Sequence, residues 1–170
     1  MNVRITRREA LELFGYLSML DLTVAARESI LIDVFSEDDE FEKISDFNDP
    51  VYNSQASGYL RRKSKGVTNQ YLSVFLGRRL ERNIDVEGEQ VFLNPCPCCT
   101  YMTLDGRGEY DICPVCFWED DGSEQEERYS PANRTTLAEA RSNFLKFGAK
   151  DEPSIKFIDD QGKLKYPRKV

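Results

Sequence analysis

The chain has 170 residues, 40% of them apolar and 31% charged, which leaves room for a core and excludes wholesale disorder. Its formal net charge of -7 and pI near 4.8 argue against binding to a phosphate backbone, where positive charge supplies most of the affinity, and suit a basic partner. No apolar run reaches the length of a membrane span, so the expectation is a cytoplasmic protein of one domain, or of one small domain with an appended module.

At the N-terminus, Arg4, Arg7 and Arg8 precede an apolar "LFGYLSML", but Glu9 and Glu12 interrupt it and no small-residue cleavage site follows. An amphipathic helix is expected instead. Thr6-Arg7-Arg8-Glu9 fits a capping box, and Ala10, Leu13, Phe14, Leu17 and Leu20 recur at helical spacing. Thr23 is placed to cap a second helix carrying Ile30, Leu31 and Val34. "NDPVYNSQASGY" is rich in turn residues. A third helical pattern follows Thr68, with Tyr71, Leu72, Phe75, Leu76 and Leu80 on one side.

Between Asp85 and Gly88 the character of the chain changes. "EQVFLN" reads as a short strand, and "YMTL" and "EYDI" flank "DGRG", a hairpin-loop signal. Further on, Thr136-Leu137-Ala138-Glu139 offers another capping box, opening a helix over 136–147 that carries Leu137, Ala140, Phe144 and Phe147 and stops at Gly148. The tail "SIKFIDDQGKLKY" suggests a last hairpin. The predicted fold is α+β: a helical region over 1–88, then over 89–170 a small antiparallel, zinc-ribbon-like sheet with a C-terminal helix.

All five cysteines lie between Asn94 and Gly122, in a chain without histidine. An odd number packed into one segment speaks for a metal site in a reducing compartment rather than a disulfide framework. Cys96 and Cys99 form one C-x2-C pair, Cys113 and Cys116 the other. Each such turn can present two thiolates to one tetrahedral ion. Pro97 and Pro114 pre-set both turns, and the thirteen residues between the pairs suit a hairpin that brings the corners together. Without histidine, four thiolates are the one all-N/S ligand set on offer. A cluster of buried free thiols and a redox dithiol are the competing readings. Cys98 is the spare: it packs inward or serves as a reactive thiol. A fourth coordination position filled by protein favours one structural Zn2+ over a catalytic one.

The combination "CPCC…CPVCFWEDD" followed by "TTLAEARSNFLKFG" resembles the bacterial cysteine-rich CPCC family over about residues 92–149. The resemblance implies zinc binding, and relatives among toxin–immunity loci imply an interaction role. Thr100 and Phe117 stand where glycine often follows the second cysteine of such a corner. If those positions are left-handed, each costs about 1–2 kcal/mol.

Charge comes in blocks: acidic "SEDDEFEKISDFND", basic "RRKSKGVTNQYLSVFLGRRLER", acidic "EDDGSEQEE" and basic "GKLKYPRK". Solvated faces explain each alone. The sharper reading of the second block is nucleic-acid contact by Arg61, Arg62, Lys63, Lys65, Arg78, Arg79 and Arg82, with Tyr59 and Tyr71 stacking on bases; the acidic neighbours oppose it. Trp118 with Glu119, Asp120 and Asp121 suggests a partner-binding anchor ringed by carboxylates. The alternative puts Trp118 under the helix of Phe144.

The absence of histidine removes Cys-His, Ser-His-Asp and His-ligated mechanisms, and no glycine-rich phosphate loop is present. The function expected is therefore non-catalytic: a zinc-stabilised protein that binds another protein, such as an immunity protein covering a basic toxin. A nucleic-acid-binding or regulatory zinc ribbon is the alternative, and a thiol-redox protein acting through Cys98 the third.

Overall fold

The computed structural model of the chain describes residues 2–36, 44 and 46–169. Of the acidic block 36–49, residues 37–43 and 45 therefore lie outside the description. The chain forms two compact units, Met1–Lys65 with Asn69–Gln90, and Gly66–Thr68 with Val91–Val170. Its class is mixed α+β, with the long helices in the first half, small antiparallel sheets in the second and a helix towards the C-terminus.

The first unit begins with strand β1 (Asn2–Thr6), which runs into helix α1 (Arg7–Leu20). Thr6 is the junction. Its hydroxyl accepts from the Glu9 amide, while the Glu9 carboxylate accepts from the Thr6 amide, completing the expected capping box. The Thr6 hydroxyl also donates to that carboxylate (2.7 Å), and this bond, then the one from the Thr6 amide, hold the Glu9 carboxyl below its ordinary range. Thr23 likewise caps α2 (Val24–Phe35) by accepting from Ala26 N.

The turn-rich segment is largely a helix. After a 3-10 turn over Pro50–Tyr52, α3 spans Asn53–Lys63. Asp49 caps the turn by accepting from Val51 N, and Pro50 sits in its first helical position. Tertiary packing overrides the poor helix propensity of Asn53, Ser54, Ser57 and Gly58. Arg27, buried on α2, donates to Phe47 O (2.5 Å), Asp49 O (3.2 Å) and Asn53 Oδ1 (2.9 Å), fastening the entry to α3. In the same unit Met19, Leu31 and Ala56 form a core cluster with Ile30, Phe35, Phe47 and Leu60 around it.

Helix α4 (Asn69–Leu80) lays Tyr71 and Phe75 against Phe14, whose ring centroid lies 4.7 Å from that of Phe75. It leads into β2 (Asn83–Glu87), which pairs with β1 in parallel register from Asn2↔Asn83 to Thr6↔Glu87. A parallel pair needs a crossover, which the intervening helices supply. The expected strand "EQVFLN" is thus displaced. Residues 89–93 are unpaired, and the pairing falls on "NIDVE" because β1 gives that segment a partner and α4 covers its Val86.

In the second unit the sheets are minimal. β3 (Asn94–Pro95) pairs with β4 (Met102–Leu104), and β5 (Tyr129–Ser130) with β6 (Thr135–Thr136), both antiparallel. "YMTL" and "EYDI" do not pair with each other across "DGRG": β4 pairs back to β3, while Ile112 bridges forward to Glu119. Helix α5 (Leu137–Phe147) is capped by the Thr136 hydroxyl and ends at Gly148 with φ +78°. Only half the expected capping box forms there, since the Glu139 carboxylate accepts instead from the Thr135 hydroxyl. The tail is not a hairpin. It folds as a 3-10 helix over Glu152–Phe157 and a short helix α6 (Gly162–Lys165), with Asp151 and Pro153 starting the first.

In the first unit α1 and α3 approach closely at Gly15. A Cβ there would lie 2.6 Å from the Ser57 carbonyl oxygen. Gly15→Ala is expected to lower stability by about 1–3 kcal/mol, because the crossing must open to admit the methyl group. Urea unfolding of the two proteins would check this, and an unchanged midpoint would show that α3 can move away freely.

Candidate metal centre

Two corners of the second unit repeat one another. In the first, Thr100 N donates to Cys96 O (2.9 Å) and Cys96 N to Tyr101 O (2.8 Å). In the second, Phe117 N donates to Cys113 O (2.8 Å) and Cys113 N to Trp118 O (2.8 Å). Cys-Pro-x-Cys makes the turn, and the residue after the second cysteine reverses the chain. That residue is left-handed in both: Thr100 has φ +64° and Phe117 φ +65°. The expected backbone strain is present, and each side chain has contacts that hold it there. Thr100 Oγ1 accepts from Arg168 Nε (2.9 Å), and Phe117 stacks on Phe157 at 5.0 Å between centroids.

Cys96, Cys99, Cys113 and Cys116 are buried, and their four Sγ atoms lie within 4.8 Å of one another. Cys96 approaches Cys116 at 3.6 Å and Cys99 approaches Cys113 at 3.6 Å, both across the two corners. These separations are far too long for a disulfide. They fit a tetrahedral ion: at a metal–sulfur distance of about 2.3 Å, ligand sulfurs stand about 3.8 Å apart. The arrangement can therefore hold a metal ion with all four positions supplied by protein. The thiols also disturb each other. Hydrogen bonding with Cys113 comes first among the causes that push Cys96 up, whereas burial, then Cys113 and Cys96, push Cys116 up. Burial opposes ionisation of Cys113 as well, but bonds from Cys116, Cys96, Cys99 and the Thr103 hydroxyl hold it low. Thr103 Oγ1 donates to Cys113 Sγ at 3.2 Å.

Cys98 lies outside this set and is 5% exposed, packed inward beside Cys99. A reactive thiol needs access to its oxidant or disulfide partner, and that position offers little.

Around the thiols stand residues that sequence reasoning missed. Lys150 is buried; its amide donates to Cys116 O (2.7 Å), its ammonium donates to Asn133 Oδ1 (3.1 Å) and lies over the Phe117 ring. Arg141 of α5 donates from Nε to Pro97 O (3.0 Å) and pairs with Glu126. Asn133, also buried, works as a false strand: Glu119 N donates to its Oδ1 (2.9 Å) and its Nδ2 donates to Glu119 O (2.8 Å). None of these carries a local motif. Each becomes visible only once the corners have been placed.

The expected partner anchor is divided by the period-2 alternation of the second hairpin. Trp118 and Asp120 are fully buried, whereas Glu119 and Asp121 are half-buried. Asp120 Oδ2 accepts from Arg107 Nε (2.8 Å) and Gly108 N (2.9 Å), tying down the "DGRG" loop. Gly108 (φ +74°) and Gly122 (φ +75°) meet there, and a Cβ on either would come within 3.2–3.3 Å of the other's Cα. Asp121 turns its carboxylate to Ser123 N.

The basic block belongs to the first unit apart from Gly66–Thr68. Arg61 pairs with Glu12 and Arg79 with Asp21, while Arg78 and Arg82 share an open groove with Glu81 and Asp85. Tyr59 donates to Asp33 Oδ2 (3.0 Å); burial and then that bond push its hydroxyl up to about 12. Tyr71 stacks on Phe75. No helix among the described residues is long and apolar enough to cross a membrane.

Two comparisons with known proteins are silent: no curated protein and no solved structure matches the chain. The third is specific. The model of the family described as Cysteine-rich CPCC matches residues 94–163, a stretch that takes in both corners, the loop between them and α5. Over residues 94–163 the chain is similar to the cysteine-rich CPCC family.

Proposed function

We propose that Cys96, Cys99, Cys113 and Cys116 hold one structural Zn2+, and that the protein works without catalysis, by binding another protein. The observation that carries the first half is the convergence of four buried Sγ atoms within 4.8 Å. Thiolates at this spacing select a soft or borderline ion, and a coordination sphere filled by protein leaves no position for an activated water. The ion's role is to supply folding energy to sheets of two and three residues that cannot secure themselves.

The partner-binding half is supported by charge. Residues 105–127 hold nine carboxylates against one basic side chain, Arg107, and that one is spent on Asp120. A basic protein is the complementary partner, and a bacterial toxin neutralised in the cytoplasm by this chain as its immunity protein is the specific form of the reading. The ion pairs of Arg61 and Arg79 with neighbouring carboxylates weigh against the nucleic-acid reading, and the burial of Cys98 against the redox one.

Native mass spectrometry of protein purified without chelator should find one zinc per chain. Cys98→Ser should keep it. Cys113→Ser should lose it together with the folded signal of the second unit, and metal retained in that variant would refute the ligand set. Since thiols must lose their protons to bind the ion, affinity should rise with pH and fall on acidification, a trend that competition with a chelator at several pH values would follow.

For the partner, co-expression with a basic toxin encoded beside this protein should restore growth, and Cys113→Ser should abolish the rescue. Absence of rescue from every neighbouring toxin would sink the immunity reading while leaving the metal centre untouched.

A further inference from the structure

Each corner opens a hairpin, each hairpin has two edges, and the chain closes three of the four. The leading arm of the first corner has Pro95, which has no N–H to offer. Its returning arm is covered by the tail: Met102 N donates to Pro167 O (2.9 Å) and Lys169 N to Thr100 O (2.9 Å). On the second corner, the returning arm is closed at Glu119 by the side-chain amide of Asn133.

The leading arm of the second corner is different. Ile112 bridges Glu119, and the flanking bonds run from Cys113 N to Trp118 O (2.8 Å) and from Asp120 N to Asp111 O (3.0 Å). Ile112 and Glu119 are thus a non-hydrogen-bonded pair, and the N–H and C=O of Ile112 turn away from Glu119. Neither meets a hydrogen-bond partner among the described residues. The neighbours at 111 and 113 face inward, Asp111 accepting from Asp105 N and Cys113 joining the thiol cluster, so Ile112 points outward and is 51% exposed. Beyond a bulge at Tyr110 (φ +61°) a second large side chain stands 60% exposed. Natural sheets close such edges, as this chain does at the other three.

We propose that the open edge at Ile112 is a docking site for an extended segment of a partner protein in which apolar residues alternate with lysine or arginine. This deepens the partner-binding reading and rests on it. The partner's main chain pairs with the free N–H and C=O of Ile112, and its apolar side chains lie on Ile112 and Tyr110. Its basic side chains meet Glu109 and Glu119 in a segment with nine carboxylates and a single arginine. The same charge rules out a second copy of this chain as the occupant, since an isologous pair at Ile112 would bring two acidic faces together.

The test uses the full-length protein with its metal retained, labelled with 15N, and a capped peptide of roughly ten residues alternating valine and lysine, about the length of a long strand. The peptide should slow exchange of the Ile112 amide about tenfold or more and bind more weakly as salt is added. A valine–glutamate peptide should leave the amide unchanged. Ile112→Pro reproduces the Asn94-Pro95-Cys96 arrangement of the first corner and should weaken binding about tenfold, the size of a lost hydrogen bond and its alignment. Ile112→Lys keeps the amide and the hairpin, sets a positive charge against the peptide, and should weaken binding similarly with the metal content unchanged. Failure of the valine–lysine peptide to bind at low salt, binding without protection at Ile112, or binding by both variants as tight as that of the unsubstituted protein would overturn the edge. Rescue of growth in the toxin experiment would then show that partner binding survives without it.

Discussion

Four thiolates brought to one point repel one another, and little else in the second unit can be understood without that fact. Buried side by side, Cys96 and Cys116 resist ionising, while hydrogen bonds from its neighbours hold Cys113 low. A divalent ion reverses the sign of the interaction and makes convergence favourable. The rest of the unit is fitted to this arrangement. Strands of two and three residues, a strained left-handed residue in each corner and a buried lysine are individually unfavourable. They persist because the two corners are fixed against each other and the surrounding chain is folded onto them. Each corner also carries a supporting contact at its strained residue, Arg168 on Thr100 and Phe157 on Phe117, so that strain and support are placed together.

The first unit obeys a different constraint. It has no such centre among its described residues and relies on helix packing around Phe14, Leu31, Leu72 and Leu76, with Gly15 letting α1 approach α3 closely. Its buried charges are arginines, and Arg27 shows how they are tolerated: three bonds from the guanidinium run to backbone and side-chain oxygens of residues 47–53, so its burial organises a segment.

These two kinds of constraint explain what could be read from the residues. Helix caps are local, and Thr6, Thr23 and Thr136 announce α1, α2 and α5 to within a residue. The cysteine corners are equally local, because ligand spacing and proline are written within four residues. Strands were misplaced because their partners are distant. "NIDVE" becomes a strand through β1, some eighty residues earlier in the chain, and the first hairpin is completed by Pro167 to Lys169. Helix α3 was obscured by its serines, asparagine and glycine, although Asp49-Pro50 carried a legible start signal. "WEDD" admitted both an exposed anchor and a Trp118 packed under the helix of Phe144; counted in steps of two from buried Cys116, Trp118 and Asp120 turn inward together.

The same step of two decides where the charge of the molecule is available. Four thiolates with one divalent ion would carry two net negative charges, and the second unit keeps cations close to the corners: the Lys150 ammonium donates to Asn133 and lies over the Phe117 ring, and Arg141 donates its guanidinium to Pro97 O. Arg107 is committed to buried Asp120. The cations nearest the corners are thus drawn into structure, and the acidic side chains that alternate outward, Glu119 above all, keep their field. An acidic outer face on the second corner is what remains once the neighbouring cations are committed to structure around the four thiols. Among the described residues, the edge of the two corners that leaves both an N–H and a C=O unpaired, at Ile112, opens within that face.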